Sequence, residues 1–193
     1  MELTIKKQEK FSRLQLILRT LFGWIYILIP HCVALIIFGI WSFILTFLAF
    51  WAILFTGKYP KSWFDYQVKM FGWNARLNAS LFNLIDGYPQ IGVGGSNPLI
   101  TLNIPYPASL SRLTLILRII FGFFYILIPH GFCLYFRMLW GYVIMFLAWF
   151  VVLFTGKFPD SFFNYQVGSI RWSIRLSMYM VFLTDTYPPF SGK

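Results

Sequence analysis

An all-α membrane protein built from two tandem, parallel repeats is the fold this sequence predicts, and three observations predict it. The chain of 193 residues is 59% hydrophobic and 22% aromatic but only 11% charged. A water-soluble domain keeps its charged fraction near a quarter, so lipid must cover part of this apolar surface. Next, residues 11–90 align with residues 110–189 at a constant offset of 99, without gaps and with roughly half the positions identical. Finally, each copy holds an apolar block of about forty residues with Lys and Arg gathered on both flanks.

The elements follow in order. The first repeat spans 1–91 and the second 100–193, joined by a glycine-rich linker over 92–99 that is flexible by composition. Each repeat opens on a short extended segment, Leu3-Thr4-Ile5 or Leu102-Asn103-Ile104, and Pro105 and Pro107 exclude helix after the second. The apolar blocks come next, at 14–55 and 113–154. In the first copy Lys6, Lys7, Lys10, Arg13 and Arg19 precede the block, Lys58, Lys61, Lys69 and Arg76 follow it, and no charge intervenes. A single crossing would place basic clusters on both faces of the membrane, against the positive-inside bias, whereas a transmembrane helical hairpin places them all on the cytoplasmic face. The hairpin tip is expected near 38–42 and 138–142, where Gly39, Trp41, Trp140 and Gly141 suit an interfacial turn. Pro30-His31 and Pro129-His130 are the alternative turning points. Arg137, near the tip, is expected to snorkel to the far headgroups.

After each block, Thr-Gly-Lys-aromatic-Pro ends the helix at Gly57 or Gly156. Ser62 or Ser161 can then cap an amphipathic helix, over 62–86 and 161–185. Phe64, Val68, Phe71, Ala75, Ala79 and Phe82 share one face of the first, and Phe163, Val167, Ile170, Ile174, Met178 and Val181 one face of the second. Lys69, Arg76, Arg171 and Arg175 fall away from those faces. Such a helix lies in the cytoplasmic interface or packs across the base of the hairpin.

Candidate site residues are few. His31 and His130 are ionisable groups inside apolar blocks; each follows a proline, and the expected role is structural, bonding a carbonyl freed at the kink. Arg13 and Arg19, with Arg112 and Arg118, are expected to hold lipid phosphates at the cytoplasmic surface. Alternatively one of each pair bridges to Asp86 or Asp185, tying the end of a copy to its beginning, with Arg76 and Arg175 as competing partners. Cys32 and Cys133 occupy non-equivalent places and read as small apolar side chains. No metal cluster, cofactor motif, phosphate-cradling loop or catalytic constellation is present. The net charge of +10 is explained by cytoplasmic flanks, and no basic face of a soluble domain points to nucleic acid. The basic start precedes an apolar run too long for a cleavable signal peptide.

Several of these elements resemble a bacterial membrane family catalogued as domain of unknown function 4389. The resemblance rests on Ser111-Arg112-Leu113, on Ile128-Pro129-His130 and on Leu153-Phe154-Thr155-Gly156-Lys157 with Pro159. It extends to Arg171-Trp172 with Arg175 and to Thr184-Asp185 with Tyr187-Pro188-Pro189-Phe190, and it covers nearly the whole chain. The first copy departs from it, with Gly72 in place of Arg171 and Gln90 in place of Pro189, so a contact through Arg171, Trp172 and Arg175 belongs to the second copy. The resemblance implies residence in the bacterial inner membrane and no established activity. The expectation is a non-catalytic subunit that scaffolds or anchors a larger envelope complex, in contact with membrane lipids and other membrane subunits. A small transporter or lipid-handling protein, with a path between the repeats, is the alternative; it requires His31, His130 or Arg137 to line a polar cavity.

Overall fold

The computed structural model describes residues 1–193. Strand β1 (Glu2–Ile5) leads to helix α1 (Arg13–Gly23), which runs through one π-helical turn (Trp24–Leu28) into α2 (Ile29–Thr56), and α3 (Lys61–Leu81) follows. The same order then recurs as β2 (Ile100–Asn103), α4 (Arg112–Gly122), a π turn (Phe123–Leu127), α5 (Ile128–Thr155) and α6 (Asp160–Met180). The fold is all-helical apart from one two-stranded ribbon.

Each apolar block is a single uninterrupted helix of 44 residues, Arg13–Thr56 or Arg112–Thr155, and not a hairpin. Both expected turning points lie within helix. Nothing between His31 and Phe55 forces the backbone out of the helical region: a lone glycine such as Gly39 weakens a helix by only about 1 kcal/mol. Pro30 sits in the first turn of α2, where its ring should clash with the carbonyl of Tyr26, four residues back. There the helix widens, the Ile29 N–H bonding Trp24 O five residues earlier, and the wider turn accommodates the ring. Pro129 is accommodated in the same way, with Ile128 N–H on Phe123 O. The carbonyl of Tyr125, four residues before Pro129, accepts the Tyr187 hydroxyl at 2.8 Å.

The chain reverses after the apolar block instead. Gly57 (φ 73°) and Gly156 (φ 70°) adopt the left-handed conformation that closes a helix C-terminus and favours glycine. Pro60 and Pro159 then occupy the N-cap positions of α3 and α6, in place of the expected Ser62 and Ser161. Helix α3 runs back along α2: Gln67 Nε2 donates to Ser42 O at 2.9 Å, Tyr66 Oη to Phe38 O at 2.9 Å, and Trp73 Nε1 to His31 Nδ1 at 2.9 Å. The helices α3 and α6 stop short of the expected 86 and 185, because Asn83 and Phe182 turn the chain at φ 54° and 66°.

The two extended segments pair with each other. β1 and β2 are antiparallel, with Leu3 opposite Leu102 and Ile5 opposite Ile100. The contacts between the halves are crossed throughout: α1 packs on α5, α4 on α2, β1 on α6, and β2 on α3, while α3 and α6 pack on one another. One apolar core results, drawing Phe11, Tyr59, Phe64, Ala79 and Leu84 from the first half and Leu110, Phe158, Phe163, Ile174 and Leu183 from the second. The linker is docked in place: Gly92 O accepts from Arg76 Nη2 at 2.8 Å, and Leu99 O from Lys6 N at 2.8 Å. Outside this core, the long helices present large apolar side chains to their surroundings, with Phe43 73% exposed, Phe55 72% and Phe154 74%.

Candidate functional site

Polar residues that flank the apolar blocks cap helices. Ser12 Oγ accepts from Gln15 N at 3.3 Å and Ser111 Oγ from Thr114 N at 3.2 Å, the N-cap geometry for which serine is favoured. The N–H of each serine is met by a carboxylate far along the chain, Asp86 Oδ2 at 2.8 Å and Asp185 Oδ2 at 2.6 Å. A carboxylate at a helix N-terminus also interacts favourably with the helix dipole. At the opposite helix ends the arginines do the complementary work across the halves. Arg112 donates from Nε to Leu54 O at 3.0 Å and from Nη2 to Phe55 O at 3.1 Å, closing α2; Arg13 Nη2 donates to Phe154 O at 3.0 Å, closing α5. These two side chains, expected to face lipid phosphate, remain exposed but are engaged within the chain.

Arg19 and Arg118 turn inward and are buried, at 8% and 3% exposure. Arg118 Nη2 pairs with Asp185 Oδ1 at 3.0 Å, Nη1 donates to Tyr179 O at 2.6 Å, and the guanidinium lies 3.8 Å from the centre of the Tyr179 ring. The alternative expectation, a clasp from the end of the copy to its beginning, is realised here. Arg19 differs. Its Nη1 donates to Ser80 O, Asn83 Oδ1 and Ile85 O at 2.9–3.1 Å and its Nη2 to Gly87 O at 3.3 Å, with no ion pair. The Arg19 Nε is buried without a partner.

His31 and His130 are fully buried. In each, Nδ1 accepts an indole N–H, from Trp73 at 2.9 Å and from Trp172 at 3.0 Å. His31 Nε2 must therefore be the protonated nitrogen, and it donates to Pro89 O at 2.9 Å. The carbonyl it finds comes from the tail of the repeat and not from the proline kink that the sequence suggested. His130 Nε2 has no partner, and the ring of Phe190 stacks on the imidazole at 3.9 Å and 9°. Ile91 is the residue 99 positions earlier, so the exchange to an aromatic replaces a hydrogen bond with stacking in the second half.

The remaining basic groups hold the C-terminal tail and the ribbon. Arg171 donates to Gly192 O at 2.8 Å and to Leu3 O at 3.0 Å, and Arg175 to Lys193 O. Neither competes for Asp86 or Asp185. Burial, joined by the nearby charge of Arg171, lowers the pKa of Arg175 from the usual arginine range. Arg76, expected on a polar face, is buried instead at 6% exposure, which lowers its pKa too. Arg137 does not snorkel outward: Nε donates to Ser169 Oγ at 2.9 Å and Nη2 to Tyr165 O at 3.0 Å. Cys32 and Cys133 are free and exposed. No group of three or more His, Cys, Asp or Glu has the spacing to hold a metal.

A crevice of about 600 Å³ opens where α1 meets α5 and is lined by Arg19, Thr20, Trp24, Asn83, Tyr142, Phe146 and Trp149 among others. Trp149 Nε1 donates to Thr20 Oγ1 at 2.9 Å across it. Of this set, the sequence reading singled out Arg19 alone. A position-by-position comparison of the two halves contains the missing signal, because Thr20, Asn83 and Trp149 stand where the other half has Ile119, Phe182 and Phe50. Neither histidine nor Arg137 lines it.

The class these features define is an all-helical protein with two helices long and apolar enough to cross a membrane. Residues 112–192 match the family model described as Domain of unknown function (DUF4389), a narrower span than the whole-chain resemblance. No curated protein and no solved structure matches the chain.

Proposed function

We propose that the chain is a non-catalytic integral membrane protein of two tandem copies, which anchors or scaffolds a larger complex in the bacterial inner membrane. One observation carries this reading: along both long helices the outward faces are apolar, and the cations beyond the first turn, Arg19, Arg118 and Arg137, bond to groups of the protein. Charged side chains at membrane depth face protein partners in this way. The pieces with the length to span are α2 and α5, 28 residues or about 42 Å each. Helices α1 and α4, 11 residues each, are too short to cross and pack against the ends of their neighbours. Lys7 pairs with Asp160 and Phe11 N–H bonds Gly156 O, so the basic start of the chain lies beside the loop at Lys157, around one core.

An anchoring role fits a molecule whose polar groups are spent on its own architecture, with large exposed apolar surfaces left for lipid and neighbouring subunits. Purification in mild detergent should return stoichiometric membrane partners; a clean monomer or self-dimer would count against anchoring. A transport path is less favoured, since His31, His130 and Arg137 are all packed against protein groups away from the crevice.

A further inference from the structure

We propose that the crevice between α1 and α5 is a binding site for one anionic membrane phospholipid per chain, its phosphate held by Arg19 and Asn83. The proposal rests on the membrane reading above and adds a specific ligand class to it. Charge carries the argument. Arg118 has its counter-charge in Asp185 at bonding distance, whereas Arg19, also buried, makes no ion pair: Asp86 lies nearby but is held by the Ser12 N–H, and the bonds from Arg19 go to neutral oxygens. A buried cation without a bonded counter-charge is costly, and an anion arriving beside it recovers part of that cost.

The donors needed to receive a phosphate are present. Four bonds from Arg19 occupy Nη1 and one hydrogen of Nη2, which leaves a second Nη2 hydrogen uncommitted; the Nε–H is buried without a partner, as it is in Arg118. Asn83 accepts from Arg19 through Oδ1, and its Nδ2 makes no bond within the protein. Apart from Thr20, whose hydroxyl accepts from Trp149, the rest of the lining is mainly apolar and aromatic, and Trp24 (59% exposed), Tyr142 (58%) and Phe146 (64%) continue it outward to the lipid-facing surface. A volume of about 600 Å³ falls within the range of ligand pockets. A phosphate at the polar end with an acyl chain leaving past Trp24 and Phe146 matches this polarity from end to end. Free phosphate would leave the aromatic part unfilled.

The second half shows why the site is single. There Phe182 replaces Asn83, its ring lying 6.3 Å from Phe50 and 5.7 Å from the Arg118 guanidinium. The space is filled and the charge already neutralised. This supplies the test variant: Asn83→Phe copies the second half, and Phe182 already adopts the same left-handed backbone at φ 66°.

The experiment is native mass spectrometry of the delipidated full chain in mild detergent, titrated with phosphatidylglycerol or diacylglycerol of matched acyl chains. The expected result is one saturable phosphatidylglycerol per chain, bound about tenfold more tightly than diacylglycerol, the scale of one charge-assisted contact. Asn83→Phe should remove that preference, and Phe43→Leu on the outer face should keep it. Equal binding of the two lipids by the unmodified chain overturns the proposal whether or not the variant folds. So does an unchanged preference in Asn83→Phe, or displacement of the lipid by inorganic phosphate at millimolar concentration. Failure of the membrane reading would look different: the chain would stay soluble without detergent.

Discussion

Asp185 and Asp86 stand at equivalent positions yet do unequal work, and substituting each by alanine should expose the difference. Asp185 receives the Ser111 N–H and also the Arg118 guanidinium, whose side chain is only 1% exposed. Removing it strands a buried charge, a loss of about 3–5 kcal/mol when one partner of a buried pair is deleted. Because the Asp185 side chain is itself 31% exposed, solvent screens the pair and the lower end, about 3 kcal/mol, applies. Loss of the acceptor at the start of α4 adds about 1 kcal/mol. Asp86 receives only the Ser12 N–H, since Arg19 is held by carbonyls and Asn83, so its removal should cost about 1–2 kcal/mol. The gap of about 2 kcal/mol corresponds to roughly thirtyfold in the unfolding constant. Unfolding by sodium dodecyl sulfate in mixed micelles, followed by tryptophan emission, measures it. Adding Arg118→Met to Asp185→Ala should recover part of the loss, because no buried charge is then left behind. Equal destabilisation by the two alanines, or no recovery in the double variant, would refute the assignment.

Two further outcomes are expected. Trp73→Phe leaves the buried Nδ1 of His31 without its donor and should destabilise the chain by about 1–3 kcal/mol in the same unfolding assay; a cost below about 0.5 kcal/mol would mean that the indole bond contributes little. With Cys32 and Cys133 replaced by serine, single cysteines at positions 10 and 157 should react from the same face of intact spheroplasts, because Lys7 pairs with Asp160 and Phe11 N–H bonds Gly156 O. Reaction from opposite faces would separate the start of α1 from the end of α5 and refute their packing.

Much of this architecture is legible in the sequence, and the parts that are not share a cause. The closing glycines at 57 and 156, the extended segments at Leu3 and Leu102 and a helix after each closing glycine all depend on local chemistry or on the repeat, which a sequence displays directly; that the two segments pair with each other does not. The expected hairpin failed because an apolar run gives helix and turn the same composition. Gly39 and Trp41 are compatible with either, and the π turn that accommodates Pro30 has no signature of its own. The arginines were found, but their partners were misassigned. Arg13 and Arg112 close helices in the opposite half, and Arg137 meets Ser169 and Tyr165 on α6, contacts that depend on packing between distant elements. Asp185 was legible as a clasp because the candidate acids are so few.

The crossed closure of the long helices has a consequence for how the chain is made. The first half leaves the ribosome before Arg112 exists, so the carbonyls of Leu54 and Phe55 wait uncapped, and β1 has no strand beside it, until translation reaches the second half. The nascent product is thus incomplete at both ends for that interval, and its two halves mature together as a single cooperative unit.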